Sequence, residues 1–519
     1  MSSDRSAIAG PRPNSALLFE TGEWNFDTLK RTYDAIADIA INELKLDPYP
    51  VQVEMISSEQ MLDAYSSIGM PVFYHHWSFG KRFTRDETMY RKGYSGLAYE
   101  IVINSNPCIC YVMEENTMTM QALVMAHAAF GHNHFFNNNY LFKEWTDADG
   151  ILDYLNFAKA YVSRCEEQHG IAAVERVIDA AHALMDNSVN RYGRRPRPSF
   201  AAEKKRAEER LEHQRTTYND LWRTLPKKPK SESAVTPEME LARRKLGLPE
   251  ENLLYFIEKF SPTLKDWERE LVRIVRNIAQ YFYPQKQTKM MNEGCATYVH
   301  YRIMNRLFDL GKISEGSMLE FLSSQANVVF QPDFDDRRYS GLNPYALGFN
   351  MMSDIERIVT EPTAEDREYL PEIAGNGDIM GTLKTVWANF RDDSCIAQYL
   401  SPNLMRKMRL FKLADQSEAP HYLVDAIHDE RGYARVRRAL ARQYDPGERD
   451  PNIQVSDVDL KGSRRLVLTH NLHNDVPLAE DNARAVLGYV ADLWGYDVQL
   501  LGIGANDVTK YQYDASPRS

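Results

Sequence analysis

The stretch MAHAAFGHNHFF, residues 125–136, sets three histidines, His127, His132 and His134, in one apolar run. Zinc peptidases write H-E-x-x-H in such a place: two imidazoles on one helix face, with a glutamate as base. Here Ala128 follows the first histidine, so the peptidase base is missing. On a straight helix Met120, Leu123, Val124, His127, Gly131 and His134 share one stripe, and His132, five positions after His127, points about 140° away. The two converge only if the helix is distorted, by a π-bulge or by a bend at Gly131. A straight helix favours satisfied buried imidazoles, a distorted one a pair of ligands.

A second stretch, TKMMNEGCATYVHYRIMNRLF (288–308), puts Glu293, Thr297, His300, Met304 and Leu307 on one helical stripe. Two histidines from one helix and a glutamate from a later helix are the ligands of the H-E-x-x-H peptidases whose third ligand is a glutamate. The alternative is a buried hydrogen-bonded network. MPVFYHHWSFGKRF (70–83) offers His75, His76, Trp77, Lys81 and Arg82 and reads as a polar-aromatic loop packed on the core, or as part of a ligand pocket. Glu114 and Glu115 precede the histidine helix, where acids also favour the positive helix end. Glu166 and His169 form an E-x-x-H pair, but a di-iron bundle needs two such pairs. The loop QPDFDDRRYSGLNPYALGF (331–349) closes a site or carries turns. No phosphate-binding glycine motif and no G-x-S-x-G occur, so nucleotide and serine-hydrolase chemistry have no support.

The elements that must position these residues are mainly helical. A chain of 519 residues implies two or three domains. Residues 1–20 are expected to be disordered, and 21–190 form an α-rich domain carrying the histidines. Its first helix spans Trp24 to Leu44, and a strand, turn and second strand fall within 96–115. Residues 191–250 read as a basic, proline-bearing connector around a charged helix, either a solvated arm or a docking arm for an acidic partner; the first proteolytic cuts are expected there. Residues 251–445 form a helical domain. Residues 446–519 read as a small α+β domain of order β-β-α-β: NIQVSDVDLKGSRRLVLTHNL as a strand pair with a Lys-Gly turn, LAEDNARAVLGYVADLWG as a helix, YDVQLLGI as the last strand.

The net charge of −11 argues against nucleic acid or an anionic membrane as main partner. Five cysteines without a C-x-x-C pair read as reduced, and no stretch approaches a membrane span. A cytoplasmic location is expected.

The blocks MPVFYHHWSFGKRF, GLAYEIVINSNPCICYVMEENTMTMQALVMAHAAFGHNHFF, NDLWRTLP, RIVRNIAQYFYPQKQTKMMNEGCATYVHY, GLNPYALGF and DPNIQV, in this order from about residue 24 to 500, closely resemble the stage V sporulation protein R (SpoVR) family. The resemblance implies a bacterial cytoplasmic protein, named for a role in forming the spore cortex yet widespread in bacteria that make no spores. There it accompanies a serine protein kinase and is linked to stress or stationary phase. No reaction comes with the family. His76, His127, His132, Glu293 and His300 fall on its motifs, whereas His75, His134 and His169 do not, and Cys295 stands where the family commonly has Trp.

Two expectations follow. In the first, His127, His132 and Glu293 bind a metal in a hydrolase-like protein, with His300 or His76 as added ligand or orienter. Zinc suits such donors, and iron or manganese fit as well. Glu114, Glu115 or Glu100 would then supply the base. In the second, the chain is a non-catalytic scaffold or regulator acting with the kinase, and the same residues form a buried polar network.

Overall fold

The computed structural model describes residues 16–67, 70, 73–91, 100–191, 246–414, 423–459, 462–473, 476–504 and 507–518. The expected disordered start, apart from 16–20, and the basic connector, apart from 191 and 246–250, lie outside the described residues. Two compact units are present: Met1–Lys159 with Pro284–Asp445, and Ala160–Tyr283 with Pro446–Ser519. The chain thus contributes to each unit twice, whereas the sequence reading sets its segments end to end. Helical periodicity reports that a face is buried, not against which distant segment.

In the first unit, helix Phe26–Ala37 starts at Asn25, whose side chain accepts the Thr28 amide, and runs into a π-helical turn, Asp38–Glu43. A three-stranded sheet follows from β1 (Val51–Ile56), β2 (Glu100–Ile103) and β3 (Cys108–Met113), in the order β1-β3-β2, with β3 parallel to β1 and antiparallel to β2. The strand-turn-strand expectation for 96–115 corresponds to β2 and β3. β1 goes unread, although Val51, Gln52, Val53, Glu54 and Met55 alternate apolar and polar residues. The block expected as a loop at 70–83 turns helical at Trp77 and stays so to Arg91. That helix is largely exposed, so no apolar stripe announced it.

The core of this unit is built on the Glu293 helix, Lys289–Asp309. Its starting residue Thr288 provides no side-chain cap, and buried Asp392 does so from a distance, its two oxygens each 2.9 Å from the Met290 and Met291 amides. Glycines let neighbouring helices close on it. A Cβ on Gly131 would lie 2.5 Å from Ala296 Cα, and one on Gly294 would lie 2.7 Å from Gly348 Cα in helix Pro344–Thr360. A short antiparallel pair, β4 (Lys412–Ala414) and β5 (Leu423–Ala426), packs beside helix Tyr433–Tyr444.

The second unit holds a four-stranded sheet of β6 (Asn452–Val458), β7 (Leu466–Asn471), β8 (Val498–Ile503) and β9 (Thr509–Ala515), in that order. β7 and β8 run parallel, which requires a crossover; helix Glu480–Trp494 supplies it and ends at Gly495, φ 82°. The expected β-β-α-β order therefore gains a strand, because the mostly exposed edge sequence TKYQYDA carries little apolar alternation. In helix Leu253–Phe260, the carboxylate of Glu258 is fully buried among Lys259, Arg273 and Arg276.

Candidate metal centre

Helix Met118–Met125 passes into a π-helical turn, Ala126–His132, before helix Asn133–Asn138 resumes. A π-turn closes its hydrogen bonds five residues apart. The spacing that sets His127 and His132 on different faces of a straight helix therefore aligns them, with ring centroids 4.5 Å apart. Every residue from 118 to 132 is buried, so packing on both sides holds the distortion in place. Gly131 gives the turn room against Ala296, three residues after Glu293 on the facing helix.

Glu293 Oε2 lies 3.5 Å from His132 Nε2 and 3.8 Å from His127 Nε2. Glu100, the first residue of β2, brings Oε1 to 3.7 Å from His127 Nε2. One donor atom from each of Glu100, His127 and His132 falls within a group no wider than 4.8 Å. These N–O separations exceed the roughly 2.7–3.2 Å of a hydrogen bond. They are close to the roughly 3.3–3.6 Å between tetrahedral ligands whose bonds to a shared ion are about 2.0–2.2 Å. Glu293 Oε2 is buried and lies beyond hydrogen-bond distance of both imidazole Nε2 atoms, so it is a polar atom that still needs a positive partner. The donor set fits a divalent metal.

The remote nitrogen of each ring is fixed. His132 Nδ1 lies 2.9 Å from Asn292 Oδ1, an acceptor, so the ring proton sits on Nδ1 and the Nε2 lone pair faces Glu293. His127 Nδ1 lies 2.8 Å from His300 Nδ1, and His300 Nε2 lies 2.6 Å from Gln325 Oε1. With the Gln325 oxygen accepting, His300 donates from Nε2 and accepts at Nδ1. His127 then donates from Nδ1, and its Nε2 is also a lone pair. His300 therefore orients His127 and does not point a free nitrogen at the cluster.

Burial governs the titration of the group. It holds His132 down at about 4 and His300 well below the usual range. For His127, burial is outweighed by the Glu293 and Glu100 carboxylates, which raise it. Burial raises Glu100, whereas at Glu293 the opposing pull of His132 and His127 prevails and holds the carboxyl low. The Tyr345 hydroxyl sits beside Glu293, and burial followed by that carboxylate keeps it protonated.

The remaining candidates lie elsewhere. His76 bonds Ser78 Oγ through Nδ1 at 2.7 Å and packs by Trp77 and Phe79, outside the group of converging donors. Glu114 and Glu115 occupy an exposed turn between β3 and the histidine helix, and Glu115 accepts the Ser58 amide at 3.1 Å. His134 accepts the Asp47 amide at 2.9 Å, His75 is exposed, and His169 stacks on Trp267 in the second unit. Cys295 is buried with Sγ 3.9 Å from the Gly131 carbonyl, and burial pushes its thiol up, so it offers no thiolate. Asn292, Gln325 and Tyr345 escaped the sequence reading. Asn292 stands next to Glu293 and Tyr345 lies in the 331–349 block, whereas nothing in the sequence marks Gln325.

A helical body enclosing two histidines and two glutamates, with a small α+β sheet domain formed by the end of the chain, is the class that fold and site define. Residues 23–449 match the family described as SpoVR like protein, and 451–505 match the SpoVR-like C-terminal domain. The chain belongs to the SpoVR family. It is 52% identical over 495 residues to the uncharacterized protein YcgB of Escherichia coli (strain K12), covering 95% of this chain and 96% of that one. No solved structure matches, so the expected likeness to metallopeptidase helices finds no support there. No helix among the described residues is long and apolar enough to cross a membrane.

Proposed function

We propose that this chain is a metal-binding protein of hydrolase-like chemistry, with His127 Nε2, His132 Nε2 and Glu293 holding one divalent cation. The observation that carries this reading is a set of lone pairs, fixed from behind by Asn292 and by the His300–Gln325 relay, that meet the carboxylates at ligand spacing rather than hydrogen-bond spacing. Zinc suits these donors, and iron or manganese fit the same set. A bound cation of this kind supplies Lewis acidity. Glu100 takes the base role vacated at Ala128: burial lifts its proton affinity toward the range in which a carboxylate can accept and return a proton. Tyr345 donates toward Glu293 and fixes its orientation. Spore cortex or stress physiology, a cytoplasmic location and a serine protein kinase partner form the setting that the family resemblance suggests.

One observation favours the second reading, a buried polar network in a non-catalytic scaffold. Glu293 is held low and His127 high, as in a His127–Glu293 ion pair. Elemental analysis of protein purified without an affinity tag separates the two. Metal binding predicts near-stoichiometric metal in the wild type, with a sharp loss in Glu293→Gln at retained fold. A metal-free wild type that Glu293→Gln destabilises by about 3–5 kcal/mol would leave the network standing.

A further inference from the structure

In the first unit, away from the histidine cluster, the 331–343 loop, the end of helix Pro402–Lys407, β4 and helix Tyr433–Tyr444 enclose an open cleft of about 1330 Å3. Its lining reverses the sign of the chain. Lys407, Arg409, Lys412, Arg435, Arg438 and Arg442 face it against two acids, Asp333 and Asp335, although the whole protein carries −11. Asp425 is shared between Lys412 and Arg435. Arg409 reaches Asp333 only at 3.6 Å with both side chains more than 70% exposed, and Lys407 meets the neutral Asn350 amide. Among the described residues Arg438 has no ion pair, and it is exposed. Buried Leu410, Val436 and Leu440 form an apolar floor, beside which Phe334 is 47% exposed.

The cleft exceeds the roughly 300–1,000 Å3 of small-molecule pockets and is open, so it suits an extended chain better than a compact ligand. Four of its six cations are arginines, whose planar forks match carboxylates. A single-stranded nucleic acid would also seek cations, but it needs free aromatic faces for its bases. Phe334 packs in edge-to-face contacts with Tyr339 and Phe411, centroids 5.2 and 5.1 Å away, and Phe330 lies under Arg338. The rings of the cleft are thus set edge to face and do not form a row of parallel stacking faces. We propose that this cleft docks an extended acidic peptide segment of a partner protein, its carboxylates on the arginines and its apolar side chains on the Leu410–Val436–Leu440 floor. This inference does not depend on the metal reading.

Fluorescence anisotropy on the full chain tests it, with a labelled octapeptide of alternating glutamate and leucine, a lysine–leucine control and an oligothymidine. The glutamate peptide should bind, weaken as salt rises, and lose at least tenfold in affinity in Arg438→Glu, while the lysine peptide stays unbound. Arg409→Asn, which tolerates the left-handed backbone at φ 50°, should weaken it by a smaller factor and guards against misfolding of the first variant. Equal binding of both peptides, or binding unchanged in both variants, would overturn the proposal. Tighter binding of oligothymidine, lost in Arg438→Glu, would replace the peptide with a nucleic acid.

Discussion

A buried imidazole can ligate a cation only while its lone pair faces it, so the atoms behind His127 matter as much as those in front. Replacing His300 by Phe removes the acceptor at His127 Nδ1 and frees the ring to turn or change tautomer. Metal affinity, measured by competition with a chromogenic chelator, should fall about 10–100-fold while the fold persists. Unchanged affinity would reduce His300 to core packing. His134 gives a separate prediction, because it lies outside the cluster. Its Nδ1 accepts the Asp47 amide and the Asn138 side chain, and burial holds it at about 4. An unfolded histidine titrates near 6.5, so the unfolded state takes up the proton first. The neutral His134 therefore contributes stability that is full above pH 6.5 and declines as pH falls toward 4, by up to about 3 kcal/mol. The stability gap between wild type and His134→Gln, followed by urea unfolding, should close across that window. A gap that stays constant from pH 7 to 4 would reject the assignment.

The π-turn Ala126–His132 is the element on which the cluster depends, and Gly131 is where it meets the Glu293 helix. In Gly131→Ala the new methyl would meet Ala296 backbone at 2.5 Å, too close for any rotamer to relieve. The helices must part, which costs about 1–3 kcal/mol and widens the gap between Glu293 and the histidines. Denaturant midpoint and metal content should therefore fall together, and a variant of wild-type stability would show that the helices yield freely. The sequence already carried part of this arrangement. The five-residue spacing allowed convergence only on a distorted helix, and Glu293 stood out as a charge on an apolar stripe. Glu100 was harder to place, since a strand residue reaches the site through sheet register, which local spacing does not encode. Gln325 is one buried polar residue of helix Glu315–Val328, and helical periodicity gives it no mark. The mainly helical body and the β-β-α-β part of the last domain were legible because apolar period and turn residues agree locally. β9, a polar edge, lacked that agreement.

At the scale of the whole molecule, the pairing of Met1–Lys159 with Pro284–Asp445 in one unit was not legible, because it follows from contacts between segments far apart in the chain. The candidate centre sits on that pairing: Glu100, His127 and His132 come from the first segment and Glu293 from the second. A cation held by both would bind the folded unit and not the unfolded chain, so it should add stability by mass action, about 2.7 kcal/mol at a hundredfold excess over Kd. Its removal also leaves two carboxylates beside the same imidazole in a largely buried site, where burial first and then Glu293 raise the proton affinity of Glu100. Chelator should therefore lower the melting temperature of the wild type by several degrees, and zinc should restore it. Glu293→Gln removes the anion that both segments need and should melt at the same temperature with and without chelator. A wild type indifferent to chelator, alongside a strongly destabilised Glu293→Gln, would mean that the two segments are joined by a His127–Glu293 ion pair and not by a metal.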